Sequence, residues 1–137
     1  MTVFRASAAA FALLTTACGS VSLSEAALLA ADRWHRACGV RPEPESLTIL
    51  DSRTVPCGDS TNAAGCTHRQ RDVTVAARAS VGLEDVLLHE FGHVLGAGHH
   101  TGRGVLRSSL GSDQWTPCLT PDDLDEAACP DPRPECP

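Results

Sequence analysis

The pattern of apolar and polar positions first predicts a helix in the segment SLSEAALLAADRWHRACG. Ser22 and Glu25 stand at capping-box spacing, and Gly39 is a natural helix stop. The apolar positions with helical periodicity between them are Leu28, Leu29, Ala31 or Asp32, and Trp34. We expect Trp34 to anchor the core.

Two segments after this helix show the pattern of strands. SLTILDS is a short apolar run between turn formers, and DVTVAAR alternates Val73, Val75 and Ala77 on one face. The intervening CGDSTNAAGC is a turn-rich segment with glycine at both ends, and His68 beyond it is predicted to lie in a loop. These two strands are the only ones that the pattern predicts clearly.

Two more helices follow, so the chain is predicted to be a small α+β domain. GLEDVLLHEFGHVLG is strongly helical, with acids in the first turn where the helix dipole favours them. TPDDLDEAAC has Thr120 as a cap and Pro121 at the first helical position. The end, CPDPRPECP, has four prolines in nine residues, which favours an extended tail pinned by Cys129 and Cys136.

The N-terminal segment has the features of an export signal. Arg5 precedes an apolar stretch that is too short for a permanent membrane anchor, which predicts a signal peptide over 1–17. LTTAC resembles a bacterial lipobox, with Cys18 acylated and a tether over 18–23 before the domain at 24–137. We expect a lipid-anchored envelope protein, at the outer membrane because glycine follows Cys18, and a secreted protein if Cys18 is not acylated.

Cysteine parity agrees with acylation. The chain has seven cysteines, and removing Cys18 leaves an even set suited to three disulfides in an oxidising compartment. Cys57 and Cys66 are predicted to pair locally, whereas a helix between Cys118 and Cys129 disfavours that pair. The other pairings stay open. The six cysteines are Cys38, Cys57, Cys66, Cys118, Cys129 and Cys136.

Length and charge limit the functional classes. The chain has 137 residues, enough for one domain, and 42% of them are hydrophobic, as in globular proteins. The net charge is −6, and all eleven basic residues are arginines. No basic cluster is present to neutralise phosphates, so we expect no nucleic-acid partner.

The segment HEFGHVLGAGHH has the spacing of a metal site. On a helix, His89 and His93 project side by side and can share one cation, while Glu90 is offset towards a water on that cation. His99 can reach the site only if the chain turns back sharply, and Gly96 is the residue type that accepts such a turn. Three neutral imidazoles with an open fourth position predict one catalytic zinc ion, with Glu90 as general base.

Neighbouring polar residues receive simpler interpretations. His100 lacks the spacing of a ligand and is predicted to face solvent or line the cleft. A further group of acids is typical of a solvated helix start rather than of a calcium site, for which the spacing gives no support. These acids are Asp122, Asp123, Asp125 and Glu126.

The motif resembles that of the metzincins, zinc peptidases with the signature His-Glu-x-x-His-x-x-Gly-x-x-His and a methionine turn. The first helix with its tryptophan and LTPDDLDEAAC are similar to parts of the matrixin branch. The resemblance implies a short twisted sheet, an active-site helix, a C-terminal helix, and a monomeric endopeptidase acting on proteins or peptides. The only methionine is Met1, so Leu106 is the predicted substitute in the turn. Cys38, in ACGVRP, is assigned to a disulfide rather than to a latency switch.

Two alternatives remain open. The first is a non-catalytic, zinc-containing envelope lipoprotein that acts as a binding module. The second is a disulfide-stapled interaction module in which the motif is coincidental. Glu90 favours the enzyme, because a purely structural zinc site needs no base and usually has four protein ligands.

Overall fold

The computed structural model describes residues 22–137, so the predicted signal peptide and Cys18 lie outside the described residues. The described part is a small α+β domain, as predicted. Its helices are α1 (Leu23–Cys38), α2 (Leu83–Val94) and α3 (Pro121–Glu126), and its strands are β1 (Ser46–Leu50), β2 (Val55–Cys57), β3 (Ser60–Ala63), β4 (Gly65–His68) and β5 (Asp72–Ala76). None of the described helices is long and apolar enough to cross a membrane.

Helix α1 has the predicted ends but a different buried face. The Ser22 side chain accepts a hydrogen bond from the backbone of Glu25, and Gly39 ends the helix in the left-handed conformation. Ser22 and Leu23, assigned above to the tether, are therefore the cap and first residue of α1. Leu28 and Leu29 share the helical periodicity of Trp34 but do not join the core, since they are 59% and 41% exposed. The buried face consists of Ala26, Ala30, Ala31, Trp34, Ala37 and Cys38.

Small residues on that face allow α1 to lie close to α2. Trp34 is fully buried, as predicted, and its indole N–H donates to the carbonyl of Leu88 at 2.7 Å. A Cβ at Gly92 would lie 2.9 Å from the Trp34 ring, so glycine permits this approach. The two helices and the sheet share one core, which includes Val73, Val75, Leu87, Phe91 and Leu124.

The main sheet contains one strand that the sequence pattern did not predict. Its strand order is β1-β5-β4, with β1 parallel and β4 antiparallel to β5. The loop prediction for His68 was wrong, because this residue ends β4, although its side chain is exposed. Ala77, predicted to continue the inward face of β5, lies beyond the strand and is exposed. Strand β4 escapes prediction because Gly-Cys-Thr-His has no apolar alternation and only one strand former, Thr67.

The turn-rich segment between the predicted strands is a second small sheet. Strands β2 and β3 pair antiparallel, with Val55 opposite Ala63. Gly58 occupies the connecting turn with a φ of 56°, a left-handed conformation that suits glycine. The predicted disulfide between Cys57 and Cys66 fastens this hairpin to β4.

The other two disulfides fix the C-terminal tail. Cys38 at the end of α1 pairs with Cys129 after α3, and Cys118 pairs with Cys136. The disfavoured pair of Cys118 with Cys129 is not formed. Both cysteines predicted to pin the tail do so.

An ion pair adds to the attachment of the tail. The Arg33 guanidinium on α1 donates to both carboxylate oxygens of Glu135, at 3.0 and 2.8 Å. Burial alone would raise the pKa of Glu135, but the bonds from Arg33 and from the backbone N–H of Leu119 lower it below its ordinary value. The tail thus closes over α1.

We predict unequal contributions of two disulfides to stability. Cys38 and Cys129 are separated by 91 positions, and Cys57 and Cys66 by 9. Since a longer loop loses more entropy on closure, replacing the first pair by alanines should lower the free energy of unfolding by about 4–5 kcal/mol, and replacing the second by about 2–3 kcal/mol. Urea titration of both double variants would measure this. An equal or larger loss for the second pair would contradict the loop-length argument.

Candidate metal centre

Helix α2 ends in the turn that the sequence analysis required. Gly96 has a φ of 93°, and the N–H of the next residue, Ala97, donates to the carbonyl of Gly92 at 3.0 Å. This hydrogen bond and the left-handed Gly96 reverse the direction of the chain immediately after the helix. It brings His99 back beside His89 and His93.

The three predicted imidazoles converge on one point. Nε2 of His89 lies 3.0 Å from Nε2 of His93 and 3.1 Å from Nε2 of His99. Nitrogen ligands of a tetrahedral zinc ion, each about 2.0–2.1 Å from the metal, would be about 3.3 Å apart. The spacing is therefore close to that of three ligands on one ion, and the group could hold a metal ion.

Backbone carbonyls determine which ring nitrogens point at the centre. Nδ1 of His89 lies 2.7 Å from the carbonyl oxygen of Val105, and Nδ1 of His93 lies 2.8 Å from that of Ala97. A carbonyl can only accept, so in each neutral ring the proton is on Nδ1 and the lone pair is on Nε2. Two lone pairs then face each other at 3.0 Å with no hydrogen between them. A cation at this point removes the repulsion.

The electrostatics of the site favour neutral rings. Burial, together with the neighbouring His93, lowers the pKa of His89 to about 3. Partial burial also lowers the pKa of His99, the most exposed of the three rings, and the neighbouring histidines His93 and His100 act in the same direction. Neutral imidazoles are the form that binds a metal ion.

Glu90 lies beside the histidines and is held by strand β4. The hydroxyl of Thr67 donates to Oε2 of Glu90 at 2.7 Å. A Cβ at Gly65 would lie 2.7 Å from Oε1 of Glu90, so only glycine lets the strand approach this closely. Burial raises the pKa of Glu90, and the bond from Thr67 offsets part of that effect. Neither Gly65 nor Thr67 was predicted as a site residue, because the sequence pattern gives no signal for β4.

The segment Val105–Leu106 supports the centre from below. The carbonyl of Val105 orients His89, and the carbonyl of Leu106 accepts from the backbone N–H of His100 at 3.2 Å. The Leu106 side chain is fully buried, and its Cδ2 would lie 2.5 Å from a Cβ at Gly92. Leu106 thus packs against α2 at Gly92, three residues after His89.

Asp123 on α3 holds that segment in place. Its carboxylate is completely buried and accepts from the backbone N–H groups of Val105 and Leu106 at 3.0 and 2.9 Å. It also closes a capping box with Thr120, whose backbone N–H donates to it at 2.9 Å. The expectation of a wholly solvated acidic cluster was therefore wrong for Asp123. Three backbone donors offset the cost of burying this charge.

His100 is bound to the same carboxylate. Its Nε2 donates to Oδ1 of Asp123 at 2.7 Å, and its side chain is 9% exposed. The prediction that His100 faces solvent or lines the cleft was wrong. As predicted, it does not belong to the converging group of His89, His93 and His99. The sequence around His100 gives no signal for a buried partner 23 positions away.

The centre opens into a cleft of about 1320 Å³. One wall is β4 with its following turn, and the other includes Ser108, Ser109 and Leu110. The side chains of Glu90 and the three histidines reach its floor. The site is thus accessible to a ligand much larger than water.

No protein-family model, curated protein or solved structure matches the chain. The interpretation of the centre therefore depends on its own geometry.

We predict that Asp123→Asn weakens both the fold and the metal site. An amide would direct a donor at backbone N–H groups, which should lower the free energy of unfolding by about 3 kcal/mol. Because Val105 would no longer be fixed, zinc affinity should fall about 10- to 100-fold, as when other outer-shell partners are lost. Urea unfolding and competition with a chromophoric chelator would measure the two effects.

Asp122→Asn is the matched control, since Asp122 is exposed on the same turn. It should change neither quantity appreciably. Similar effects of the two substitutions would disprove a specific role of Asp123.

Proposed function

We propose that the protein is a zinc-dependent endopeptidase in which Glu90 acts as general base. The observation that carries the proposal is the convergence of three imidazole Nε2 atoms beside one buried carboxylate on the floor of an open cleft. Such a set of three neutral ligands next to an acid is typical of catalytic zinc sites, whereas structural sites usually have four protein ligands.

Zinc is the ion that best suits the donors. Imidazole nitrogen is a borderline ligand that zinc, copper, iron and nickel accept, and Nε2 separations of 3.0 and 3.1 Å are compatible with a tetrahedral zinc ion. When bound, zinc would polarise a peptide carbonyl and lower the pKa of water to about 7.

The chain's own contribution to the reaction is the placement of Glu90. Thr67 binds Oε2, which leaves Oε1 to accept a proton from the attacking water. The same carboxyl group would then donate that proton to the leaving amine. Glu90 thereby returns to its carboxylate form when the peptide bond has been hydrolysed. Since Glu90 is buried, its hydrogen bond to Thr67 fixes its direction before substrate arrives.

Strand β4 supports a polypeptide as substrate. It is at the edge of its sheet and lines the cleft directly above Glu90. An extended peptide can add to such an edge through backbone hydrogen bonds, independently of its side chains. The open cleft is compatible with internal segments of a chain, as an endopeptidase requires.

The proposed location is the bacterial cell envelope. The three disulfides suit an oxidising compartment. With Cys18 acylated, the domain would act as a monomer close to the membrane surface, on neighbouring proteins or peptides.

Glu90→Gln tests the assignment of the base. Glutamine keeps the shape of the side chain and can still accept from Thr67, but it cannot take a proton. We expect one zinc ion per chain in both proteins and a fall in kcat/KM of about 10²- to 10⁴-fold in the variant. Mass spectrometry of a diverse peptide library, with and without chelator, would measure hydrolysis.

Equal hydrolysis by the variant would remove Glu90 from the mechanism. If the zinc-loaded wild type cleaved no peptide at all, the non-catalytic zinc-containing binding module would be the better interpretation.

His93→Ala tests the metal ligands separately from catalysis. Loss of one of three ligands should weaken zinc binding by more than about 100-fold, beyond the effect of losing an outer-shell partner. Chelator competition and the visible spectrum of the cobalt-loaded protein would measure it. His35→Ala, on the exposed side of α1, is the control and should bind one ion like the wild type. Unchanged affinity in the His93 variant would place the ion elsewhere.

A further inference from the structure

The charged residues along the cleft are mostly of one sign. Besides the histidines, the charged side chains that line it are Glu90, Arg53, Arg69 and Arg78. The chain as a whole carries −6, with seventeen acids and eleven arginines. The lining of the cleft is therefore positively charged, whereas the protein as a whole is negatively charged. The carboxylate among these lining residues, Glu90, is on the floor of the cleft.

Two of these arginines are free to meet a ligand. Arg78 forms an ion pair with Asp51 at 3.0 Å, so its charge is largely offset. Neither Arg53 nor Arg69 forms an ion pair with any residue in the described range 22–137. Both are exposed.

The backbone at Arg69 is in a conformation that its residue type disfavours. Arg69 and Gln70 have φ values of 53° and 59°, and the N–H of Arg71 closes the turn on the carbonyl of His68 at 3.1 Å. Two-residue turns of this kind strongly favour Asn-Gly, because both residues are left-handed. Strain of this kind is concentrated at functional sites, and here both strained residues line the cleft.

The two free arginines lie at opposite ends of β4. Arg69 directly follows the strand. Arg53 precedes β2, whose Val55 pairs with Ala63 just before β4 begins. A strand of four residues spans about 13 Å, so the two arginines are attached to the backbone roughly that far apart along the cleft. Glu90, beside Gly65 and Thr67, lies between them.

We propose that the cleft selects peptide segments with acidic side chains on both sides of the bond that is cleaved. This inference rests on the proposed endopeptidase function and specifies its substrate class. An extended peptide along β4 would place carboxylates near Arg53 and Arg69 when they are about four or more residues apart. Because the arginines are exposed, the selection is electrostatic and sensitive to salt.

Binding and cleavage of two matched peptides test the proposal. One dye-labelled decapeptide has Asp or Glu at two positions on each side of its centre, and the other has Asn or Gln there. Fluorescence anisotropy with zinc-loaded Glu90→Gln would give Kd values, and zinc-loaded wild type would give kcat/KM. We expect the acidic peptide to bind about 10-fold more tightly at low salt, with the ratio falling to about 2 at 0.5 M salt.

Arginine variants identify the side chains responsible. Arg53→Gln and Arg69→Gln should each reduce the ratio of acidic to neutral affinity about threefold, through Kd and KM rather than kcat. Arg71→Gln is the matched control, because Arg71 belongs to the same turn, pairs with Glu45 and does not line the cleft. It should leave the ratio unchanged.

Different results would overturn acidic selection and the endopeptidase function. Equal affinity for the two peptides, or a ratio that survives loss of both arginines, overturns acidic selection even if the wild type hydrolyses peptides. Tight, arginine-dependent binding of the acidic peptide without hydrolysis would support the cleft's selectivity and overturn the endopeptidase.

Discussion

The centre is built on a repulsive arrangement that the backbone imposes. His89 and His93 each have Nδ1 bound to a carbonyl, so their Nε2 lone pairs must point at each other across 3.0 Å. Rotation of one ring would relieve the repulsion. The hydrogen bonds from Nδ1 to the backbone carbonyls and the burial of His89 oppose that rotation. A cation converts the repulsion into coordination. The donor set is therefore pre-organised for a metal rather than assembled around one.

The hydrogen bonds between the two histidine rings and the backbone carbonyls depend on other parts of the chain. The carbonyl that accepts from the His93 ring belongs to Ala97, in the turn at Gly96. The carbonyl that accepts from the His89 ring belongs to Val105, whose backbone N–H is bound by Asp123 of α3. A helix of six residues thus positions a ring on another helix through two intermediate contacts. Gly104 makes the approach feasible, since a Cβ there would lie 2.5 Å from the Asp123 carboxylate.

Local features of the sequence were sufficient to predict the elements that carry the three converging histidines. Helix α2, the turn at Gly96 and the caps of α1 and α3 follow from periodicity, glycine and capping residues, all of which act over a few positions. The pair of Cys57 with Cys66 is also local. These are the cases in which the physical cause lies within about ten residues of its effect.

Features that depend on tertiary contact were not predictable in the same way. Strand β4 has no apolar alternation, and its structure comes from pairing with β5 and contact with Glu90. Asp123 looks like one acid among four in sequence, and only folding distinguishes it by burial. Leu28 and Leu29 mislead because alanines, not leucines, face α2, where Trp34 already fills the available volume.

Strand β4 connects Glu90 to the wall of the cleft. Thr67 binds the Glu90 carboxylate, Gly65 allows its close approach, and the edge of the same strand faces the space where a peptide would lie. A peptide paired with this edge would therefore have its backbone registered to the strand that also fixes Glu90. Any displacement of β4 would move base and peptide together, which preserves their relative position. The Cys57–Cys66 bond and the pairing with β5 restrain the strand from both sides. On the proposed function, this shared support lets a domain with small sheets maintain the alignment that proton transfer requires.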